Sequence, residues 1–277
     1  TKFLLDKKEF EIYLILREKS NLSNIDSFKD SIEIYNYEGQ LKNLIEFFKS
    51  VKPEIVFHLA SNFIAEHESN QIDSLIDSNV TFGLHLLEAM RVSGVKKMIN
   101  TGTSWQHYNN EDYNPVCLYA ATKQAFESLI AYYVEAESFK VITLKLFETY
   151  GETDKRPKLI NLLNKFADDQ IELNMSPGGQ VLNLVHINDV CEAFYTSSKN
   201  IEHDNFCGTK SYAIGSEKTY QLKEVIQLFE EVTGKTIKVI WGGRPYRNRE
   251  VMKLWSTGEL LPNWKPVISL KDGFKKY

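Results

Sequence analysis

The chain has 277 residues, of which 43% are hydrophobic and 25% are charged, and this composition is typical of a globular protein with a sizeable core. A net charge of −4 gives no sign of the basic face that nucleic-acid binding requires, and no apolar run is long enough to cross a membrane. Three scattered cysteines and six histidines without metal-ligand spacing favour a reducing, cytoplasmic location and predict neither a disulfide framework nor a metal site.

Strands and helices alternate along the first half of the chain. Short apolar runs predict strands at residues 11–17, 31–37, 54–61, 96–104 and 139–147. Apolar residues at helical spacing predict helices at 41–51, at 79–94 with Gly94 as C-terminal cap, and from Tyr119 to about Glu137. This alternation predicts an α/β protein in which helices cover both faces of a parallel sheet.

The alternation becomes less regular after residue 151. Helices are predicted at 158–169 and 222–234, and short strands at 181–187 and 210–216. We therefore predict a dinucleotide-binding domain over 1–151, with segments near 180–200 returning to it, and a smaller substrate-binding α/β lobe that is formed mainly by 152–277.

The stretch CLYAATKQAFE places Tyr119 and Lys123 four residues apart, on one face of a predicted helix. A nearby ammonium lowers the pKa of a phenol from about 10 and makes it a usable acid or base near neutral pH. Alone, the pair reads more simply as a packed tyrosine and a surface lysine. Here, however, it follows the strand predicted over 96–104, which carries Thr103 and Ser104 at its end, and ligands of a parallel sheet lie beyond the carboxyl ends of its strands. This position favours catalysis, with Thr103 sharing the substrate oxygen.

Eight stretches, in order, resemble the extended short-chain dehydrogenase/reductases, which include NAD-dependent nucleotide-sugar epimerases, dehydratases and reductases. They are IVFHLAS, NVTFGLHLLEA, MINTGTS, YAATK, LKLFETYG, NLVHINDVCEAF, YAIGS and RPYRNREVM. The resemblance covers nearly the whole chain and implies a Rossmann-type doubly wound parallel sheet. The late stretch is most similar to the CDP-abequose and CDP-paratose synthase type, which reduces nucleotide-linked 4-keto-deoxy sugars for lipopolysaccharide.

The resemblance also implies roles for individual residues. Tyr119 is the acid/base, Lys123 modifies its pKa and contacts the ribose, and Thr103 is the hydroxyl partner. The remaining implied cofactor contacts are Leu59, Ala60 and Ser61 beside the pyrophosphate and ribose, Asn36 and Tyr37 beside the adenine, Asn79 near the strand ends, and Phe147 near the nicotinamide. A homodimer built from the helices that carry Asn79 and Tyr119 is implied as well.

The expected cofactor is NADPH, with NADH as the alternative. NAD-using members carry an acidic residue where this chain has Arg17, and a guanidinium can bind a 2′-phosphate, with help from Lys19 and Ser20. The alternative is a solvent-facing arginine. No glycine precedes Gly39, so the family's first strand and glycine-rich turn are absent from this sequence. We expect a longer native chain; the alternative is a member without a cofactor site.

The expected reaction is reduction of a nucleotide-linked 4-keto sugar, in which the cofactor delivers hydride to C4 and Tyr119 protonates the oxygen. No carboxylate directly follows Thr103, which disfavours dehydration. The resemblance implies that Arg247 clamps the substrate pyrophosphate, while Glu148 replaces an asparagine at the substrate site. An NAD-dependent epimerase and a non-catalytic binding protein remain alternatives.

Several other polar residues near these motifs carry weaker expectations. His58 and His186 are interpreted as structural histidines. Trp105 and His107 either shape the sugar pocket or simply belong to the loop beside it. Arg244 and Arg249 are either substrate contacts or surface charges.

Overall fold

A computed structural model describes residues 1–18, 20–154, 156–203 and 205–277. Within those residues, no helix has both the length and the apolarity needed to span a membrane. The first half alternates strands and helices, as predicted. Its elements are α1 (Lys2–Lys7), β1 (Tyr13–Arg17), β2 (Glu33–Tyr37), α2 (Leu41–Val51), β3 (Val56–His58), α3 (Ile72–Ile76), α4 (Phe82–Ser93), β4 (Lys97–Thr103), α5 (Leu118–Glu137) and β5 (Lys140–Leu146).

The second half is less regular. Its elements are β6 (Glu148–Tyr150), α6 (Leu159–Asp169), β7 (Leu173–Met175), β8 (Val181–Leu182), β9 (Leu184–His186), α7 (Ile187–Asn200), β10 (Thr209–Ile214), β11 (Tyr220–Gln221), α8 (Leu222–Thr233), β12 (Val239–Trp241) and α9 (Leu270–Phe274). The strand predicted over 181–187 is two strands, because β8 pairs antiparallel with β11 whereas β9 pairs parallel with β6.

The main sheet has the strand order β10-β5-β4-β3, and each of its pairings is parallel. Strands β1 and β2 form a second parallel pair. The α/β class is therefore confirmed, but in the described residues β1 and β2 form a sheet separate from the main one, because no strand there hydrogen-bonds between β1 and β3. The two sheets share a core: Ile15 of β1 and Tyr35 of β2 pack on the apolar cluster that includes Leu44 and Met98.

Helices cover both faces of the main sheet. On one face, α2, α4 and α5 pack on β3, β4 and β5. On the other, α7 contributes Val190, Ala193 and Phe194 to a cluster with Ile99 and Ile142. A third cluster draws its buried residues only from positions 150–274. The domain boundary at residue 151 stays a prediction.

The helix predicted over 79–94 differs from the helix observed, and the difference shapes the site. Helix α3 begins at Ile72 and continues through a π-helical turn, Asp77–Thr81, into α4. Gly83 allows α4 to approach α5 closely, because a Cβ there would lie 2.4 Å from the ring of Phe126. Gly94 ends α4 with a φ of 79°, as predicted for a C-terminal cap.

Candidate active site

Thr103 lies at the carboxyl end of β4, where a short turn fixes its side chain. Its hydroxyl accepts a hydrogen bond from the backbone N–H of Trp105 at 3.3 Å, and its own N–H donates to the Gln106 side chain at 3.0 Å. The ring of Phe63 lies edge-on to Tyr119, with centroids 5.0 Å apart, and 5.5 Å from Trp105. The end of β4 and the start of α5 therefore meet at one site.

Tyr119 and Lys123 are both buried on α5, with exposures of 8% and 1%. Burial raises the pKa of Tyr119 to about 12, opposed by a side-chain hydrogen bond with Ser61. Burial lowers the pKa of Lys123 to about 8. We expected the Lys123 charge to lower the tyrosine pKa, whereas in this structure burial dominates and raises it. The Lys123 ammonium has no hydrogen-bond partner among the described residues, so it retains donors for a ligand.

His58 lies at the end of β3, next to this pair. Its Nδ1 lies 3.0 Å from the Oδ1 of Asn100, whose amide group donates to Thr143 at 3.3 Å. Since Asn100 presents its oxygen, we assign the imidazole proton to Nδ1. Burial and the Lys123 charge lower the pKa of His58 to about 3, so the ring is neutral. It packs on Phe126 at 4.7 Å, which agrees with the structural role expected of it.

The predicted cofactor contacts after β3 form an exposed shelf. Because β3 ends at His58, Leu59, Ala60 and Ser61 lie beyond the strand, and all three are exposed, Leu59 at 55%. The shelf directly follows His58, whose pKa the Lys123 charge lowers, and the Lys123 ammonium is buried without a partner among the described residues. An exposed apolar shelf and such a donor fit a dinucleotide, whose ribose hydroxyls could accept from the ammonium.

Three further predicted cofactor contacts lie at the carboxyl ends of β1 and β2. Arg17 and Tyr37 are register partners there, and Asn36 pairs with Leu16. Arg17 and Asn36 are exposed, whereas the Tyr37 hydroxyl hydrogen-bonds His85 at 2.6 Å. Lys19, which we expected to assist Arg17, lies outside the described residues.

Asn79 differs from its expected role, because it has no atom left for a cofactor. It is fully buried, its Oδ1 accepts from the N–H of Asn62 at 2.7 Å, and its amide group donates to the Asn62 carbonyl and to Thr122, each at 3.0 Å. Asn79 thus positions the loop that carries the shelf.

Two of the three predicted substrate residues, Glu148 and Arg247, line a cleft of about 490 Å³, which includes space open to solvent, whereas Thr103 is absent from the described lining and its neighbour Ser104 is present. Its lining includes Ser104, Trp105, His107, Phe147, Glu148, Asn183, Arg247, Glu250, Leu254 and Trp255. Phe147, expected beside the nicotinamide, thus faces the same cleft as Glu148 and Arg247. Arg247 pairs with Glu250 at 3.0 Å and lies over the Trp105 ring at 5.3 Å. This brings a cation to the cleft wall, as a pyrophosphate clamp requires.

Glu148 connects this cleft to Tyr119. Burial raises its pKa, while the charges of Lys158 and Arg247 act in the opposite direction. The charge of Glu148 in turn contributes to the raised pKa of Tyr119. Glu148 also lines a second cleft of about 270 Å³ together with Asp154 and Lys158. A substrate could therefore span both clefts across Glu148.

Sequence reasoning missed the buried polar residues behind the cleft. Glu127 accepts from Gln106 at 2.9 Å and pairs with Lys145 at 3.4 Å. Lys145 in turn contacts His107 at 2.9 Å. A lysine in the middle of the apolar run VITLKLF was the available signal, since a buried ammonium needs partners. Trp255, also missed, carried no such signal.

Two of the late arginines, Arg244 and Arg249, are absent from the described lining of the cleft. Arg244 is exposed. Arg249 hydrogen-bonds Asn114 and lies over the Tyr108 ring at 4.3 Å, so it joins two loops. His186 is buried, contacts Glu152 and accepts from the Asn188 N–H, consistent with a structural role. In the part of the chain that the structure describes, no three His, Cys, Asp or Glu side chains form a possible metal site.

The fold and this set of buried residues agree with the comparisons with known proteins. The chain belongs to the NAD dependent epimerase/dehydratase family, whose sequence model matches residues 3–215. It is 27% identical to CDP-abequose synthase of Yersinia pseudotuberculosis over 99% of this chain and 91% of the relative. It is 26% identical to UDP-glucuronate 4-epimerase of Thermodesulfobacterium geofontis (strain OPF15), over 96% and 83%.

A solved structure supports the fold. UDP-glucose-4-epimerase from Stenotrophomonas maltophila, with bound NAD and formylated UDP-arabinopyranose, superposes with a TM-score of 0.86 at 17% identity, covering 99% of this chain and 91% of that one. The predicted family and the Rossmann-type fold are both confirmed.

Proposed function

We propose that the protein reduces the keto group at C4 of a nucleotide-linked deoxy sugar, with CDP as the nucleotide and NADPH as the cofactor. The observation that carries the proposal is the position of the buried Tyr119, whose pKa responds both to Ser61 of the exposed shelf and to Glu148, which lines the cleft together with Arg247. The chain's similarity to CDP-abequose synthase supports the CDP-linked substrate. In this proposal the enzyme acts in the cytoplasm and contributes to the synthesis of a surface polysaccharide such as lipopolysaccharide.

Tyr119 acts as the proton donor to the substrate oxygen. With a pKa of about 12 its phenol is protonated at neutral pH, which is the state a donor needs. The Thr103 hydroxyl, held by the turn that follows β4, orients the same oxygen. Lys123, whose pKa is about 8, retains a proton near neutral pH and can restore that of the tyrosine. The bound nicotinamide supplies the hydride.

The cofactor lies along the strand ends in this proposal. Leu59, Ala60 and Ser61 support its pyrophosphate and ribose, with the loop held by Asn79. Asn36 and Tyr37 flank the adenine, and Phe147 lies at the nicotinamide end. Arg17, exposed at the end of β1, binds the 2′-phosphate that distinguishes NADPH from NADH. NADH is the alternative, since the family description names NAD.

The substrate occupies the cleft. Arg247 binds its pyrophosphate, because a guanidinium matches phosphate oxygens in a bidentate manner. Glu148 accepts a hydrogen bond from a sugar hydroxyl between the two clefts. We further propose a homodimer through α4 and α5, since Leu84, Val92 and Tyr132 expose apolar surface on these helices.

A second candidate function is a NAD-dependent nucleotide-sugar epimerase. It is favoured by the similarity to UDP-glucuronate 4-epimerase over 96% of this chain. An epimerase keeps its cofactor through the cycle, whereas a reductase consumes it. A third candidate, a non-catalytic binding protein, predicts no turnover at all.

The test uses the full-length native protein with 4-keto-6-deoxy sugars linked to CDP, dTDP, GDP or UDP. We expect NADPH to be consumed with the CDP sugar and not in the Tyr119→Phe variant. Interconversion of unreduced sugars with retained NAD would establish the epimerase instead. If neither assay detects a reaction and no cofactor binds, the non-catalytic binding protein would be the remaining candidate.

A further inference from the structure

We propose that the stacked rings of His107 and Trp255 form a specificity wall, which selects a sugar carbon that lacks a hydroxyl group. This inference rests on the proposed function, because it concerns the sugar that occupies the cleft. The two rings are nearly parallel, with centroids 4.1 Å apart and an interplanar angle of 9°. Both line the cleft.

The wall extends beyond the two rings and is closely packed. Phe147 lies near Trp255 at a tilt of 22°, with centroids 6.3 Å apart. Gly258 approaches the indole so closely that a Cβ there would lie 2.5 Å from it. The backbone at Gly258 therefore packs directly against the indole.

His107 faces the cleft without a free hydrogen-bonding atom. Its Nδ1 lies 3.0 Å from the Glu111 carbonyl oxygen, and its Nε2 lies 2.9 Å from the Lys145 ammonium. Nδ1 therefore carries the proton and donates, while Nε2 accepts from the ammonium. Burial and the charge of Lys145 lower the pKa of His107, which agrees with a neutral ring, although the nearby Asp112 charge acts in the opposite direction.

The polar network behind the wall also reaches the catalytic residues. Lys145 pairs with Glu127, which accepts from Gln106, and Gln106 accepts from the N–H of Thr103. The wall and Thr103 are therefore anchored to one buried set of hydrogen bonds. This arrangement holds Thr103 in a defined position relative to the wall.

A wall of ring carbons discriminates by desolvation. A hydroxyl pressed against it loses hydrogen bonds to water and gains none, whereas a methyl or methylene group gains apolar burial. Apolar pockets of this kind reject an added hydroxyl by roughly 10- to 100-fold. The wall accordingly suits a deoxy position of the sugar.

The test measures dissociation constants, which do not require turnover, for CDP-glucose and its 3-deoxy and 6-deoxy analogues by titration calorimetry. We expect the native protein to prefer at least one deoxy analogue by roughly 10- to 100-fold. Trp255→Gln and His107→Asn each offer the hydroxyl a hydrogen-bonding amide group and should reduce this preference to about threefold or less. Tyr113→Gln is the matched control, because this exposed tyrosine of the same loop is absent from the described cleft lining, and the preference should be unchanged.

The possible failures are distinguishable. Variants that bind NADPH as the native protein does are folded. If such variants keep the native preference for the deoxy analogue, the proposed specificity wall is wrong. A native protein with no deoxy preference would overturn it as well. If no nucleotide sugar binds while NADPH does, the proposed function fails together with the wall.

Discussion

The amide group of Asn79 donates to the Thr122 hydroxyl at 3.0 Å and to the Asn62 carbonyl at the same distance, and thereby ties the loop after β3 to helix α5. This loop carries the cofactor shelf, and α5 carries Tyr119. One buried side chain from the π-helical turn therefore fixes the shelf relative to the catalytic tyrosine. The arrangement makes Asn79 a positioning residue.

Replacing Asn79 by alanine should weaken both the fold and cofactor binding. Its partners would be left unsatisfied, so we expect the free energy of unfolding to fall by about 1–3 kcal/mol. The dissociation constant for NADPH should rise, because the shelf loses its anchor. Urea unfolding and fluorescence titration measure the two effects. Asn43→Ala, an exposed asparagine of α2, is the control; equal effects in both variants would contradict the role.

Reversing the charge of Arg17 should change the preferred cofactor. In Arg17→Glu the carboxylate repels the 2′-phosphate of NADPH and can bind the ribose hydroxyls of NADH. We expect the ratio of the two dissociation constants to shift toward NADH by roughly 10- to 100-fold. Lys29→Glu reverses a charge before the amino end of β2 and should leave the ratio unchanged. A native protein that already prefers NADH would refute the assignment.

Replacing Lys123 by methionine should stabilise the protein while abolishing turnover. The lysine pKa falls from 10.5 to about 8 on folding, so below pH 8 the native state holds a buried charge that opposes folding. Removing it should add about 1–3 kcal/mol to the free energy of unfolding at pH 7.

The effect of Lys123 on stability should depend on pH. Between pH 8 and 10.5 the unfolded chain binds the proton that the folded protein has lost, so the stability of the native protein rises with pH in this window. The advantage of Lys123→Met should therefore shrink as the pH rises from 8 to 10.5. Urea unfolding at several pH values measures it, with the partly exposed Lys49→Met as control. A variant less stable than the native protein at pH 7 would contradict the account.

Removing the guanidinium of Arg247 should weaken substrate binding selectively. In Arg247→Met we expect the KM for the nucleotide sugar to rise roughly 10- to 100-fold, because charged hydrogen bonds to the pyrophosphate are lost. The dissociation constant for NADPH should not change. The exposed Arg244→Met is the matched control. If both variants raise KM equally, a general loss of positive charge explains the effect, and the assignment of Arg247 as the pyrophosphate-binding residue is wrong.

Sequence patterns correctly predicted those helices and strands whose ends are marked by nearby residues in the chain. The bounds of α2 match the prediction at both ends, because its apolar spacing is regular and Lys52-Pro53 stops it. The strand predicted over 54–61 ends instead at His58. The residues that follow it are held by Asn79, a tertiary contact that no local pattern reveals.

The electrostatics of the site depend on contacts that are distant in sequence. Four-residue spacing correctly placed Tyr119 and Lys123 on one helix, but burial sets their pKa values, and burial comes from the packing of α5 against β3 and α4. His107 and Trp255 are far apart in the sequence, yet their rings stack in the folded protein. Such pairs require the folded structure.

Isotope transfer tests the proposed net reduction at C4. NADPH that carries deuterium at the transferable position would be incubated with the full-length protein and a CDP-4-keto-6-deoxy sugar. We predict that NMR will find the deuterium on C4 of the product in a one-to-one ratio with NADPH consumed, and none with Tyr119→Phe. A sugar that isomerises without taking up deuterium would contradict the account.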